Sequence, residues 1–119
     1  RAMASLPSAQ PLNDATRGLI DAVLLNRLKP SAIVINTARG GLIDYDALET
    51  MLSEGRIFGA GLDVFPSEPL PDRPLKSLPN VVLTPHIGFN RTVALERQMR
   101  MGLENILKFQ AGKPQNLIV

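Results

Sequence analysis

The stretch Ala32-Ile33-Val34-Ile35-Asn36 narrows the choice of fold more than any other part of the chain. Successive side chains of an extended segment point to opposite faces, so a run that is apolar at consecutive positions needs both faces covered. A strand with one wet face would alternate apolar and polar residues. This run does not, and it is too short and too rich in β-branched residues for a buried helix. It reads as an inner strand of a parallel sheet with helices over it.

The flanking signals agree. Asp21 reads as the N-cap of a helix over residues 22–28 that stops before Pro30. Thr37 to Gly41 is a tight glycine-rich turn. Asp44 then caps a second helix carrying Ala47, Leu48, Met51 and Leu52 at helical spacing, with Asp46 and Glu49 favouring the dipole and Gly55 as the stop. Residues 59–64 read as a second strand and 81–83 as a third, ended by Pro85. The prolines at 66, 69, 71, 74 and 79 make residues 66–79 a long ordered loop. Asn90 or Thr92 caps a last helix to about Ala111, with an apolar face of Leu95, Met99, Leu103, Ile106 and Leu107, and Gly112 stops it. Residues 1–18 read as irregular. Strands alternating with helices define an α/β protein with a parallel sheet flanked by helices.

Composition removes several function classes. At 119 residues the chain is one domain in size, and its 45% apolar content excludes a disordered chain. No apolar run reaches membrane-spanning length, and residues 1–5 lack a signal-peptide core. With no cysteine there is no disulfide framework, and with one histidine, His86, no multi-histidine metal centre; a reducing, cytoplasmic setting is expected. The formal charge of +2 is scattered, and four Phe, one Tyr and no Trp offer few platforms for nucleobases, so no nucleic-acid partner is expected.

Parallel sheets place ligands at the carboxyl ends of their strands. Arg39 follows the first strand, the Asp63–Glu68 stretch the second, and His86 the third. Singly, each has an ordinary alternative: an arginine in a surface ion pair, a solvated glutamate in a proline-rich loop, a histidine in a turn. Together they form a reaction apparatus. Arg39 can grip a carboxylate through two hydrogen bonds, His86 can hold or release a proton near neutrality, and Glu68 against the imidazole favours its charged form. Such a pair can protonate a carbonyl oxygen while hydride reaches its carbon.

The stretches Pro11–Gly18, Ile35-Asn-Thr-Ala-Arg-Gly-Gly-Leu-Ile-Asp44, Gly59-Ala-Gly-Leu-Asp-Val-Phe65 with Glu68-Pro69, and Thr84-Pro-His-Ile-Gly88 resemble the D-isomer-specific 2-hydroxyacid dehydrogenases, over about residues 11–119. The resemblance implies that Arg39 binds the 2-oxo acid, that His86 is the acid/base and that Glu68 tunes it. It also implies that Thr37, Ala38, Arg39, Asp63, His86 and Gly88 lie along the nicotinamide end of NAD or NADP, Asp63 at the carboxamide. The implied reaction is reversible hydride transfer between NAD(P)H and a 2-oxo acid, giving a D-2-hydroxy acid.

The match has gaps. A dinucleotide-binding turn needs a strand, then glycines opening a helix. Gly59-Ala60-Gly61 is the nearest candidate, yet Val64 stands where the third glycine belongs and the run lies inside a predicted strand. No substrate domain is recognisable, and Pro7 sits where the family has apolar strand. The resemblance therefore implies the C-terminal portion of an NAD(P)-binding domain over residues 1–119, a partial, Rossmann-like (doubly wound) parallel sheet flanked by helices, its C-terminal half only. A homo-oligomer, or pairing with the rest of a longer chain, would cover its open sheet edge. Little turnover is expected of the piece alone. The alternatives are a cofactor-sensing, dimeric corepressor-like module and an inert domain fragment.

Overall fold

The computed structural model describes residues 3–5 and 11–117, and the chain divides into two compact units, the first ending at Ile87 and the second beginning at Gly88. The first unit is built on a four-stranded parallel sheet: β1 (Met3–Ser5), β2 (Ile33–Asn36), β3 (Gly59–Leu62) and β4 (Val81–Leu83), in spatial order β1-β2-β3-β4. Each strand is laid beside the one before it, the construction of one half of a doubly wound sheet. The expected α/β fold and its three expected strands are present.

Register assigns the faces. Val34, Ala60 and Val81 share a row, as do Asn36, Leu62 and Leu83. Val34, Asn36, Ala60 and Leu62 are buried. The opposite face carries Ile33, Ile35, Gly61 and Val82; the first three are half-buried and Val82 is 68% exposed. The buried face packs with α1 (Ala22–Leu25) and α2 (Tyr45–Ser53) in a core that includes Leu25, Leu48, Met51, Leu52, Ile57 and Leu75.

The predicted helix starts hold at atomic detail. Asp21 accepts from the Leu24 N–H at 2.8 Å, and Asp44 accepts from the Ala47 N–H at 3.0 Å. Gly55 ends α2 with φ of +66°, a geometry open to a residue without Cβ. The first helix is shorter than expected. Its α-helical part stops at Leu25, and i→i−3 bonds from Arg27 and Leu28 tighten the last turn ahead of Pro30.

Residues 11–18 are irregular as expected, and one correction concerns the stretch before them. Met3–Ser5 is not irregular but an edge strand, with Met3 opposite Ile33 and Ser5 opposite Ile35. Met-Ala-Ser has no β-branched residue, so pairing with β2 rather than local preference defines it. Pro7 lies outside the described residues. Residues 11–18 are organised by side chains: Asn13 Oδ1 accepts from the Ala15 and Thr16 N–H groups, and the Thr16 hydroxyl donates to the Pro11 carbonyl at 2.7 Å.

The second unit is α3 (Thr92–Gln110) and the tail after it. Neither Asn90 nor Thr92 caps this helix. Arg91 holds the N-cap position in extended backbone, with no side-chain cap. Gly112, at φ of +69°, follows its end as expected, and Gln115 and Asn116 both donate to Asn105 Oδ1, folding the tail back along the last turns. The expected apolar face of Leu95, Met99, Leu103, Ile106 and Leu107 lies within this helix, and none of the helix's residues is buried.

Candidate active site

The carboxyl edge of the sheet is shaped first by Asn36, the fully buried last residue of β2. Its Oδ1 accepts from the Ala38 N–H at 3.1 Å, and its Nδ2 donates to the Arg39 carbonyl at 3.1 Å and to the Tyr45 hydroxyl at 3.3 Å. One amide thus fixes the turn that carries Thr37, Ala38 and Arg39. Tyr45 in turn donates to the Val64 carbonyl and meets the Phe65 ring edge-on. Burial pushes the Tyr45 hydroxyl up to about 12, which keeps it a donor.

Gly40 brings this turn against the next one. A Cβ there would lie 1.9 Å from the Phe65 carbonyl carbon and 2.3 Å from the Pro66 nitrogen, so only glycine allows the two backbones to touch. The neighbouring residue, Arg39, is exposed, and its Nη1 donates to the Ala38 carbonyl at 2.7 Å.

Glu68 and His86 are brought together. Glu68 Oε1 accepts from the Phe65 N–H at 3.0 Å, which closes its own turn, and Oε2 lies 2.7 Å from His86 Nδ1. The imidazole contact first, and the Phe65 N–H second, hold the Glu68 carboxyl below its ordinary value. The histidine sits on an unusual backbone. Its N–H returns to the Thr84 carbonyl at 3.0 Å in a three-residue turn about Pro85, and its φ is +55°. Left-handed geometry costs a residue with a Cβ about 1–2 kcal/mol. Such a conformation persists only where the surroundings impose it, and it clusters at functional sites.

Asp63 is buried beneath this turn. Its N–H extends the ladder to the Asn36 carbonyl at 3.0 Å, and its Oδ1 accepts from the Thr84 hydroxyl at 2.5 Å and from the Ile87 N–H at 2.9 Å.

The proline-rich loop between β3 and β4 is tied to α2. Arg73 Nε donates to Glu49 Oε2 at 2.7 Å and its Nη2 to Asp46 Oδ1 at 2.8 Å, while the Leu75 N–H reaches the same Glu49 oxygen at 2.9 Å. This seats the fully buried Leu75 and leaves a cleft of about 480 Å³ beside the Glu68–His86 pair. Phe65, Leu70 and Leu83 form its apolar wall, and Lys76 and Thr84 join Glu68 and His86 as its polar residues.

Of the residues singled out in the sequence, the first unit gathers Thr37, Ala38, Arg39, Asp63, Glu68 and His86 on segments that follow β2, β3 and β4. Contact is direct for Glu68 with His86, and by touching backbones for the turns of Arg39 and Glu68. Gly88 belongs to the second unit. Sequence reasoning missed Asn36, Tyr45, Thr84 and Lys76. Asn36, closing an apolar strand, was the one with a visible signal, since a polar residue there is buried and must find partners.

A parallel sheet whose carboxyl edge holds a carboxylate–imidazole pair is the cofactor-binding type of α/β domain. The particular family follows from comparison with known proteins. Residues 5–88 match the family model described as D-isomer specific 2-hydroxyacid dehydrogenase, NAD binding domain, and the chain belongs to that family. It is 42% identical over 111 residues to a glycerate dehydrogenase of Methylorubrum extorquens, covering 91% of this chain and 35% of the relative. It is 44% identical over 110 residues to a glyoxylate reductase of Korarchaeum cryptofilum, covering 91% and 33%. A solved acyclic imino acid reductase in complex with NADPH and D-Arg superposes with a TM-score of 0.91 at 41% identity, over 98% of this chain and 37% of that one. The chain spans about a third of the length of the curated relatives it matches.

Proposed function

We propose that these residues form the nicotinamide-facing, C-terminal portion of the cofactor domain of an NAD(P)-dependent 2-oxo acid reductase, a D-2-hydroxyacid dehydrogenase working in the reductive direction. The observation that carries this reading is the 2.7 Å contact between Glu68 Oε2 and His86 Nδ1 at the carboxyl edge of the sheet.

The groups at that edge suit a nicotinamide. Its carboxamide offers N–H donors and a carbonyl; Asp63 supplies a carboxylate acceptor and the exposed Thr37 a hydroxyl, while Ala38 keeps the turn small. NADH or NADPH supplies the hydride when bound. The rest falls to the chain. Arg39, unfolding from the Ala38 carbonyl, clamps the substrate carboxylate through its fork of donors. Glu68, held ionised, fixes the ring tautomer through Nδ1, so that Nε2 delivers the proton to the carbonyl oxygen and recovers it in the reverse direction. Substrates are 2-oxo acids of the glyoxylate and hydroxypyruvate kind, in keeping with the names of the relatives.

Grafting residues 11–87 in place of the matching segment of the Korarchaeum glyoxylate reductase tests this. The graft is expected to oxidise NADH or NADPH with glyoxylate, and His86→Asn to lower kcat by about 10²–10⁴-fold, the usual worth of a positioned acid/base. Full turnover in the His86→Asn graft would end the reading. A graft that reduced only mixtures of a 2-oxo acid with an amine would shift it to imine reduction, and one that bound NADH tightly without turnover would support the regulatory alternative.

A further inference from the structure

We infer that Thr84 and Asp63 together act as a positioning clamp that holds the His86 turn and aims its imidazole at Glu68, an assignment that rests on the reading of His86 as the acid/base. The juxtaposition is specific. One oxygen, Asp63 Oδ1, receives a hydroxyl from the residue two before His86 and an N–H from the residue after it, at 2.5 and 2.9 Å. These two bonds bracket the Pro85-His86 dipeptide from both sides.

The dipeptide needs such bracketing. Pro85 has no N–H to give to the sheet, and the last ladder bond from this segment is the Thr84 N–H to the Leu62 carbonyl at 3.0 Å. Beyond it the chain enters the left-handed region at His86, which a residue with a Cβ leaves unless held. Asp63 is a fit anchor. It is 5% exposed, and its own backbone N–H is fixed to Asn36 at the end of β2. Charge on the acceptor shortens and strengthens both bonds. Thr84 is thereby a positioning residue: it acts on the reaction through His86, by way of a carboxylate one strand away. The groups facing the imidazole from this side are Glu68 directly, Asp63 through the turn, and Lys76 across the cleft.

Because His86 is the only histidine of the chain, its ring nitrogens give unambiguous NMR signals in the 119-residue chain. In the unsubstituted protein the neutral ring is expected as one fixed tautomer protonated at Nδ1, and the Ile87 amide is expected to exchange with solvent as slowly as those of β3 and β4. Thr84→Val removes the hydroxyl at nearly constant volume. It is expected to give a mixed-tautomer ring and to speed Ile87 exchange by at least about tenfold, the equivalent of one lost charge-assisted bond. Thr84→Ser is expected to restore both. A fixed tautomer with slow Ile87 exchange in Thr84→Val would overturn the clamp, as would solvent-rate exchange of Ile87 in the unsubstituted protein, a measurement that needs no variant to fold. Neither readout depends on turnover, so loss of the acid/base reading in the graft experiment and loss of the clamp are separate results.

Discussion

At the scale of single residues, two titrations place the site in the stability of the fold. Glu68 has its folded value held below the ordinary 4.5 by His86 and the Phe65 N–H. A carboxylate lowered in the folded state stabilises above its unfolded value and loses that contribution as the pH falls through the folded one. The melting temperature of Glu68→Gln should therefore lie below that of the unsubstituted protein near neutrality and converge with it below pH 4.5; parallel curves down to the most acid pH would contradict the contact. Tyr45 has the opposite sign. Its folded value is raised from 10.0 to about 12, so the unfolded chain gives up the proton first, and stability falls as the pH rises between those limits. At about 1.4 kcal/mol per pH unit the loss is roughly 2–3 kcal/mol. Tyr45→Phe should lack this alkaline decline in urea titrations, and should cost about 1–3 kcal/mol near neutrality for the buried bond it removes.

At the scale of elements, what the sequence disclosed follows the range over which each signal acts. The caps at Asp21 and Asp44 and the stop at Gly55 depend on atoms a few residues away, and all three are found as read. The strand at 33–36 was legible because its apolar run has no other home. Met3–Ser5 was not, because three small or flexible residues become a strand only when β2 lies beside them. The site divides the same way. Glu68 and His86 could be paired from the rule that strand ends share an edge. The bonds from Tyr45 to Val64, Thr84 to Asp63 and Arg73 to Glu49 join residues about twenty or more apart and depend on how loops close. The arginine illustrates it: Glu49 and Asp46 both hold it, and the Leu75 N–H shares the Glu49 oxygen. Arg73→Met is expected to cost about 1.5–3 kcal/mol by denaturant titration, since it leaves a part-buried carboxylate short of its donor. It should also speed proteolysis of residues 66–79 while α2 stays protected; uniform loss across the chain would show that the loop is not separately tethered.

At the scale of the whole molecule, the two faces of the sheet differ among the described residues of the first unit. Ile33, Ile35 and Val82 share the face opposite the buried one, with Val82 68% exposed, while parallel sheets are normally covered on both faces. Self-association is the expected consequence. At micromolar concentrations the chain should sediment above its 12.9 kDa monomer mass, and Val82→Glu should return it to that mass. A monomer at every concentration would show that this face tolerates water.

The left-handed backbone at His86 also bears on how such a domain can decay. Glycine adopts that geometry at no steric cost and asparagine visits it through local hydrogen bonds, and neither can transfer a proton as an imidazole can. On the proposed reading of His86 as the acid/base, a mutational walk through this position meets its mildest backbone steps in replacements that silence the chemistry, and selection for folding alone would not retain the histidine.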